Sequence, residues 1–282
     1  MPKITDYTQL QLTAMDIRVD VLRALAAAGS GHPGGSLGMA DVFTALFFNV
    51  ANIKPDQPAW PERDRIVLSN GHICPVLYTA MAHAGFFDPN ELLTLRKFGS
   101  RLQGHPHRLE LPGLETSSGP LGSGTSQAAG MALAFKLDHT PQHVWCLVSD
   151  GEQQEGNTWE GVMFAAAKQL DNLTVIMDRN NIQIDGNTED IMPLNSIAAK
   201  YRGFNWNVIE IDGHDMAAII KACEQSKQSQ HQPTLIIANV IPGKGVQFME
   251  QQYTWHGKAP SAAELEQALV DLNVMRANIE RA

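Results

Sequence analysis

The most restrictive feature of the sequence is a regular alternation of short apolar runs with helical stretches. The runs are nearly continuous in apolar residues, which is typical of strands buried on both faces of a parallel sheet. Helical stretches are predicted near residues 155–170, 193–202 and 215–226. This alternation predicts an α/β fold with helices on both faces of a parallel sheet. The predicted strands are Arg65–Ser69, Val144–Val148, Leu173–Asp178, Asn207–Ile211 and Thr234–Val240.

The domain organisation is expected to be simple. The chain has 282 residues, of which 44% are hydrophobic, enough to bury one large core. No Pro/Ser-rich linker divides it, so residues 1–282 are predicted to form one domain. The glycine-rich and proline-rich stretch 99–124 has little periodicity and is predicted to be a functional loop. Further predicted helices are one through Ile17, Val21 and Leu25 that ends at Gly29, then Met39–Val50, Pro75–Ala84, and a final helix in Ser261–Ala282 docked by Leu265, Leu269, Leu272 and Met275.

The charge and cysteine content exclude several classes of protein. With 21 basic and 30 acidic residues, the net charge of −9 provides no basic field for nucleic acid or anionic lipid. Cys74, Cys146 and Cys223 are far apart and form neither a zinc pattern nor an even disulfide framework. No apolar stretch approaches the roughly 20 residues that span a bilayer, and the first residues are unlike a signal peptide. We therefore expect a cytoplasmic protein that binds neither nucleic acid nor membrane.

Two predicted strands end in oxygen-bearing side chains. Asp150-Gly151 follows one strand and Asn180 follows the next, and ligands of parallel sheets bind outside the carboxyl ends of the strands. A carboxylate and an amide oxygen suit Mg²⁺, which completes its coordination with water and phosphate oxygens. Gly151 allows close approach of phosphates at a helix amino end. The pattern predicts a metal and diphosphate site, and an ordinary turn with Asp150 as a helix cap is the alternative.

A longer string makes this interpretation more specific. The segment from Ser149-Asp150-Gly151 to Asn180-Asn181-Ile182 resembles the thiamine diphosphate fingerprint, with Ser149 where that family usually has glycine. The resemblance implies that Asp150 and Asn180 bind the metal by their side chains and that Ile182 binds it by its carbonyl. It also implies that the cofactor is thiamine diphosphate with Mg²⁺, for which Ca²⁺ or Mn²⁺ can substitute.

The chain carries four histidine-containing strings, Ser30-Gly31-His32-Pro33-Gly34, Leu68-Ser69-Asn70-Gly71-His72, Gly104-His105-Pro106 and His256-Gly257-Lys258-Ala259-Pro260, and a fifth string without histidine, Thr116-Ser117-Ser118-Gly119-Pro120-Leu121-Gly122. All five resemble the transketolase family, and the resemblance runs from about His32 to Pro260. It implies that four histidines line a catalytic cleft. His72 and His256 would approach the diphosphate, while His32, His105 and His256 would contact donor hydroxyls or shuttle protons. The Gly119-Pro120-Leu121 segment would present backbone groups to the aminopyrimidine.

Two glutamates follow the predicted metal loop. Glu155 and Glu160 could be ordinary acids near a helix amino end. By the family resemblance, both would face a subunit interface near the cofactor and form part of an acidic relay between paired active sites. We expect Glu155 to take part in catalysis and Glu160 to belong to the cofactor surroundings.

The family resemblance also implies an activity and a partner. Transketolases transfer a two-carbon ketol unit from a ketose phosphate to an aldose, as in the pentose phosphate pathway. The family's pyrimidine-binding domain, with the arginines that hold sugar phosphates, follows the segment seen here, and no residue follows Ala282. We therefore expect a separate partner chain that carries the pyrimidine-binding domain, two copies of each chain, and activity only in the complex.

The sequence is also compatible with other functions. An α subunit of a 2-oxo acid dehydrogenase shares the cofactor fingerprint, but it lacks the Ser-Gly-His-Pro-Gly and Asn-Gly-His strings, and deoxyxylulose-phosphate synthase is disfavoured on the same ground. A specialised ketol transferase acting on a branched or sulfonated sugar phosphate is a serious alternative. A non-catalytic cofactor-binding module is a further one, although diphosphate binding alone would not need His32 and His105.

Overall fold

The computed structural model describes residues 3–281 and contains a five-stranded parallel sheet with helices on both faces. The strands are β1 (Arg65–Leu68), β2 (Val144–Ser149), β3 (Leu173–Arg179), β4 (Ile182–Gln183), β5 (Gly186–Asn187), β6 (Asn207–Asp212) and β7 (Thr234–Asn239). The α-helices are α1 (Tyr7–Ala28), α2 (Pro33–Gly38), α3 (Ala40–Ala45), α4 (Cys74–Ala84), α5 (Ser123–Leu137), α6 (Gly156–Ala167), α7 (Thr188–Ile191), α8 (Ile197–Gly203), α9 (Met216–Ser226) and α10 (Ala262–Arg281). The sheet order is β1-β2-β3-β7-β6, and β4 and β5 form a small separate hairpin. Within residues 3–281, no helix is both long and apolar enough to cross a bilayer.

The central strands contribute alternate side chains to two hydrophobic cores. Trp145 and Leu147 of β2 pack in the core that contains α1, α3, α4 and α9. Cys146 and Val148 pack in the opposite core, which contains buried residues of α5, α6 and α8. Both faces of β2 are therefore buried, which explains its continuous apolar sequence. Strand β6 differs because it lies at the sheet edge and is only half-buried.

The predicted helices differ most from the observed ones in two places, and the short helix α7 was also not predicted. The helix predicted over Met39–Val50 begins earlier, at Pro33, is interrupted at Met39, and ends in a π-helical turn over Leu46–Val50. Helix α5 was not predicted at all. Its inner face consists of small residues such as Gly124, Ala128 and Ala132, so it lacks the large apolar residues that a helical period normally shows.

The C-terminal helix docks as expected, with a slightly different face. Ala268 and Leu272 are its buried residues, and Leu265, Met275 and Ile279 pack partly buried against the first core. Leu269, which was predicted to dock, is only partly buried and is not among the residues packed against that core. The last predicted residue, Ala282, lies outside the described residues.

A buried ion pair and a histidine connect α1 and α3 to the loops that follow β6 and β7. The Arg18 Nη1 and Nη2 atoms lie 3.1 and 2.6 Å from the two carboxylate oxygens of Asp41. His214 Nε2 accepts the Ile241 N–H at 2.8 Å, so His214 Nδ1 carries the proton and donates it to Asp41, also at 2.8 Å. Burial alone would raise the pKa of Asp41, but Arg18 and His214 lower it to about 2. This network ties α1 and α3 to the loop after β7.

Replacing Asp41 should therefore be costly. Asp41→Ala leaves Arg18 as an unpaired buried cation and should lower the free energy of unfolding by roughly 3–5 kcal/mol at pH 7. Urea denaturation measures this change. The matched control is Asp16→Ala, which removes an exposed ion pair between α1 and Arg276 and should cost at most about 1 kcal/mol. Equal losses in the two variants would contradict a stabilising role for the buried network.

Candidate active site

The loops at the carboxyl ends of β1, β2 and β3 enclose a cleft of about 320 Å³. Parallel pairing aligns Ser149 of β2 with Asp178 of β3, which brings the two following loops side by side. The segments that carry the four predicted histidines converge on the same cleft. Predicted site residues in its wall are His32, His72, His105, Gly119, Leu121, Gly151, Glu155, Ile182 and His256.

Three of the imidazole rings form a compact cluster. The ring centroids of His32 and His72 are 5.1 Å apart, those of His72 and His256 are 5.1 Å apart, and those of His32 and His256 are 5.7 Å apart. His105 lies beside the cluster, since a Cβ placed on Gly71 would be 3.2 Å from its Cδ2 atom. Residues far apart in the sequence thus present four imidazoles to one cavity.

Local chain geometry positions these histidines. His32 immediately precedes α2, whose first residue is Pro33, a residue that favours the start of a helix. His72 lies in a 3-10 turn over Gly71–Ile73, directly after the β1 loop. His256 follows a 3-10 turn, and a Cβ on Gly34 would lie 3.2 Å from the Trp255 carbonyl oxygen. The close approach of α2 to the His256 loop therefore requires the absence of a side chain at residue 34.

The cluster favours neutral imidazoles. Burial, followed by the nearby His256, Arg96 and His105, lowers the pKa of His32 from 6.5 to about 4. Burial and the neighbouring histidines lower the pKa of His72 well below its ordinary value. Burial also lowers the pKa of His256. At neutral pH these rings can accept or pass on protons of hydroxyl groups.

A buried glutamate that sequence reasoning missed organises the floor of the cleft. Glu152 accepts hydrogen bonds from the Ser69 hydroxyl and the Gly122 N–H through one carboxylate oxygen, and from the Ser149 N–H at 3.2 Å through the other. Ser69 Oγ in turn accepts the Gly124 N–H at 3.0 Å. One carboxylate therefore links the ends of β1 and β2 to the loop before α5. Its side chain was overlooked because Glu152 follows Asp150-Gly151 without a motif of its own.

The predicted metal residues lie on adjacent loops beside this floor. Asp150 is fully buried, and its carboxylate accepts the Gly151 N–H and the Asn181 N–H, each at 2.7 Å. Arg179 Nη1 lies 3.2 Å from the same carboxylate. Burial raises the pKa of Asp150 to about 6, although Arg179 and the two N–H groups act in the opposite direction. Asn180 follows β3 and its side-chain oxygen accepts the Ile182 N–H at 3.0 Å.

The charges around Asp150 fit a bound cation. Asp178 is 1% exposed, and neither of its carboxylate oxygens has a hydrogen-bond partner within residues 3–281. Burial and the neighbouring Asp150 raise the pKa of Asp178 well above its ordinary value. The only cation paired with Asp150 in the described structure is Arg179, which is shared with Glu189. A divalent cation would stabilise this buried negative charge.

The predicted metal-ligating atoms are typical of a metal site whose coordination is completed by a bound phosphate compound. Across the described residues, no group of three or more His, Cys, Asp or Glu side chains could hold a metal ion. One carboxylate, one amide and one carbonyl would leave positions for phosphate oxygens, as Mg²⁺ sites often do. The residues therefore fit Mg²⁺ together with a diphosphate.

Four predicted site residues lie outside the wall of the cleft. Asp150 lies beneath it, and Asn180 lines a neighbouring cavity of about 480 Å³ that shares Ile182 with the cleft. Pro120 is exposed next to Leu121, and Glu160 is exposed on α6. Cleft residues that were not predicted are Ser149, Glu152, Gln154, Gln183 and Ile184.

Comparisons with known proteins agree with this geometry. Residues 10–275 match the family described as transketolase, thiamine diphosphate binding domain. A 6-deoxy-6-sulfo-D-fructose transketolase subunit from Clostridium sp. is 44% identical over 248 residues, which are 88% of this chain and 90% of that one. An apulose-4-phosphate transketolase subunit from Phocaeicola vulgatus is 37% identical over 272 residues, 96% of both chains. A mutant transketolase from Pichia stipitis has a crystal structure that superposes with a TM-score of 0.88 at 32% identity.

The chain belongs to the transketolase family. The match confirms the expected α/β fold, the expected thiamine diphosphate-binding domain and the function as a transketolase subunit, and hence as part of a thiamine diphosphate-dependent transferase. The superposition covers 93% of this chain but only 40% of the Pichia chain. The two subunit relatives, in contrast, have nearly the same length as the matched region.

The depressed histidine pKa values predict a pH effect on stability. Between pH 6.5 and about 4, unfolded His32 binds a proton that the native residue does not, so acidification favours unfolding. The stability of the wild type relative to His32→Asn should therefore fall as the pH drops from 7 to 4, by at most about 1.4 kcal/mol per pH unit. Urea titrations at several pH values measure this difference. His139→Asn, which removes an exposed histidine, is the control, and a pH-independent difference for His32→Asn would contradict the prediction.

Proposed function

We propose that this chain is the thiamine diphosphate-binding and Mg²⁺-binding subunit of a two-chain enzyme that transfers a two-carbon ketol unit from a ketose phosphate to an aldose. The observation that carries the proposal is the convergence of four imidazoles with the Asp150 loop on one cleft. When bound, thiamine diphosphate supplies the electron sink for breaking and forming the carbon–carbon bond. The chain's own residues bind, orient and exchange protons around it.

The histidines are assigned distinct tasks in this proposal. His72 and His256 contact the diphosphate end, while His32, His105 and His256 bind donor hydroxyls and move their protons. The partial burial of His32, His72 and His256 supports this assignment, because a neutral imidazole can both donate and accept a hydrogen bond. The Gly119–Leu121 segment holds the aminopyrimidine through backbone groups. The buried Glu152 supports that role, because it fixes the Gly122 end of the segment.

The metal is assigned to Asp150 and Asn180 by their side chains and to Ile182 by its carbonyl. Mg²⁺ is the proposed ion, and Ca²⁺ or Mn²⁺ could replace it. Gly151 supports diphosphate binding nearby, since a Cβ at this residue would lie 3.9 Å from the Ile182 carbonyl oxygen and 3.3 Å from Gln183 Cβ. The backbone at residue 151 can therefore approach the proposed metal and diphosphate site closely, because residue 151 has no side chain.

Metal-dependent cofactor binding tests these assignments. Thermal unfolding of the full chain should be shifted upward by thiamine diphosphate and Mg²⁺ together, and less by either alone. At a hundredfold excess over Kd the stabilisation should be about 2.7 kcal/mol. Asp150→Ala should abolish the joint effect, whereas Asp185→Ala, an exposed acid in the following loop, should retain it. A full shift in Asp150→Ala would rule out Asp150 as a ligand.

A partner chain is proposed to cover the cleft and supply the pyrimidine-binding domain, with two copies of each chain. Support comes from the surface that continues outward from the cleft. Glu155 lines the cleft and directly precedes α6, whose outer face presents Glu160, Met163 and Phe164 to solvent. Met163 is 57% and Phe164 is 39% exposed. Exposed apolar residues next to one another are typical of subunit contacts. The two glutamates would lie within this one.

Association and activity should depend on this surface. The chain alone should show no ketol transfer, and co-expression with a pyrimidine-binding partner should produce it. Met163→Lys should weaken association at least tenfold, because it places a charge in an apolar contact. Val270→Lys is the matched control, since Val270 of α10 is 56% exposed but belongs to a different surface. Activity is measured by product formation and association by sedimentation. Full activity of the isolated chain would defeat the partner proposal.

A specialised donor is a second candidate within this function. The similar subunit from Clostridium sp. is named for a sulfonated fructose, and that from Phocaeicola vulgatus for apulose 4-phosphate. A comparison of xylulose 5-phosphate, apulose 4-phosphate and 6-deoxy-6-sulfofructose as donors for the assembled enzyme would distinguish the candidates.

The three unpaired, buried cysteines support a reducing compartment, and we propose that the enzyme acts in the cytoplasm.

A further inference from the structure

Arg96 lies behind the cleft, between two of the histidine loops. Its Nη1 atom lies 3.5 Å from the Ser30 hydroxyl, and its Nη2 atom donates to the Gly104 carbonyl oxygen at 3.3 Å. Ser30 precedes His32 by two residues, and Gly104 directly precedes His105. The guanidinium is therefore a bridge between segments that are more than 70 residues apart in sequence.

The backbone of Arg96 adopts a conformation that is unfavourable for most residues. Its φ angle is 59°, in the left-handed region, which is strained for a residue other than glycine. The Arg96 N–H nevertheless donates to the Leu102 carbonyl oxygen at 2.9 Å, which closes the turn. The Arg96 Nε atom is buried and has no hydrogen-bond partner in the described structure. A strained arginine with an unpaired buried donor is not explained by local stability.

A glycine allows one of the histidine loops to close on this side chain. A Cβ on Gly104 would lie 3.0 Å from Arg96 Nε and Cζ. A Cβ on Gly31 would lie 3.7 Å from Arg96 Nε and would also collide with Leu25. Gly104 can therefore approach the guanidinium closely because it lacks a side chain, whereas the absence of a side chain at Gly31 is required by the crowding of Leu25 and not by Arg96.

The charge of Arg96 also acts on the histidines. The pKa of His105 is lowered first by partial burial and then by Arg96. For His32, the groups that lower its pKa after burial are His256, Arg96 and His105. The guanidinium thus disfavours protonation on both sides of the bridge.

We propose that Arg96 is a positioning residue, whose guanidinium ties the Ser30–Pro33 loop to the Gly104–Pro106 loop and fixes the separation of His32 and His105. It acts through these loops and does not need to touch the substrate. The inference rests on the proposed function only for what the two histidines do. Its test uses the full chain alone, so its failure would be distinct from a failure of ketol transfer.

Two variants of Arg96 distinguish its hydrogen bonds to the two loops from the effect of its charge on His105. Arg96→Gly should fold, because glycine readily adopts a φ of 59°. Amides in peptides covering residues 30–34 and 102–107 should then exchange with deuterium about tenfold faster, which corresponds to the loss of roughly one net hydrogen bond. The midpoint of the His105 titration, followed by NMR, should move to higher pH. Arg96→Lys retains the charge but not the planar fork, so both loops should still exchange faster while His105 titrates nearly as in the wild type.

The matched control is Arg101→Gln in the same loop region. Arg101 donates to both carboxylate oxygens of Glu91, at 2.8 and 2.7 Å, and makes no hydrogen bond to either histidine loop within the described residues. It should change neither the exchange of the two loops nor the His105 titration. Unchanged exchange in Arg96→Gly, or faster exchange in only one of the loops, would overturn the bridging role.

Discussion

The loops that form the cleft are held together by the buried carboxylate of Glu152. This side chain joins the ends of β1 and β2 to the loop that carries Gly119 and Leu121. Burial raises the pKa of Glu152, and the donated hydrogen bonds of Ser69, Gly122 and Ser149 act against that rise. Removing the carboxylate would leave several buried donors unpaired, so the three loops are held as one unit.

Much of the fold could be predicted because the sheet is buried on both faces. The apolar runs of β1, β2, β3 and β7 have no polar face, and their ends agree with the predicted ones to within one residue. The parallel register then aligns Ser149 with Asp178, which is why a spacing in the sequence could indicate that Asp150 and Asn180 would be neighbours. The roles of these residues and of the histidines remain predictions.

The features that were missed lack a periodic or motif-based signal. Helix α5 packs through glycine and alanine, and the break at Met39 has no proline or glycine at the interrupted residue itself. Glu152 and Arg96 act through hydrogen bonds to backbone groups or hydroxyls of distant segments. Such long-range contacts depend on tertiary structure, so residue type and spacing do not reveal them.

The chemistry of the cleft also indicates what a second chain would have to add. None of the residues that line it within the described structure is a lysine or an arginine, and the histidines favour the neutral state. A phosphate or sulfonate on a sugar needs cationic donors, preferably arginine forks. Arg96, a cation beside the histidine loops, is engaged by Ser30 and Gly104. The proposed partner would therefore have to recognise the anionic end of the donor. This chain would contribute the metal ligands, the contacts to the diphosphate and the proton-transferring imidazoles.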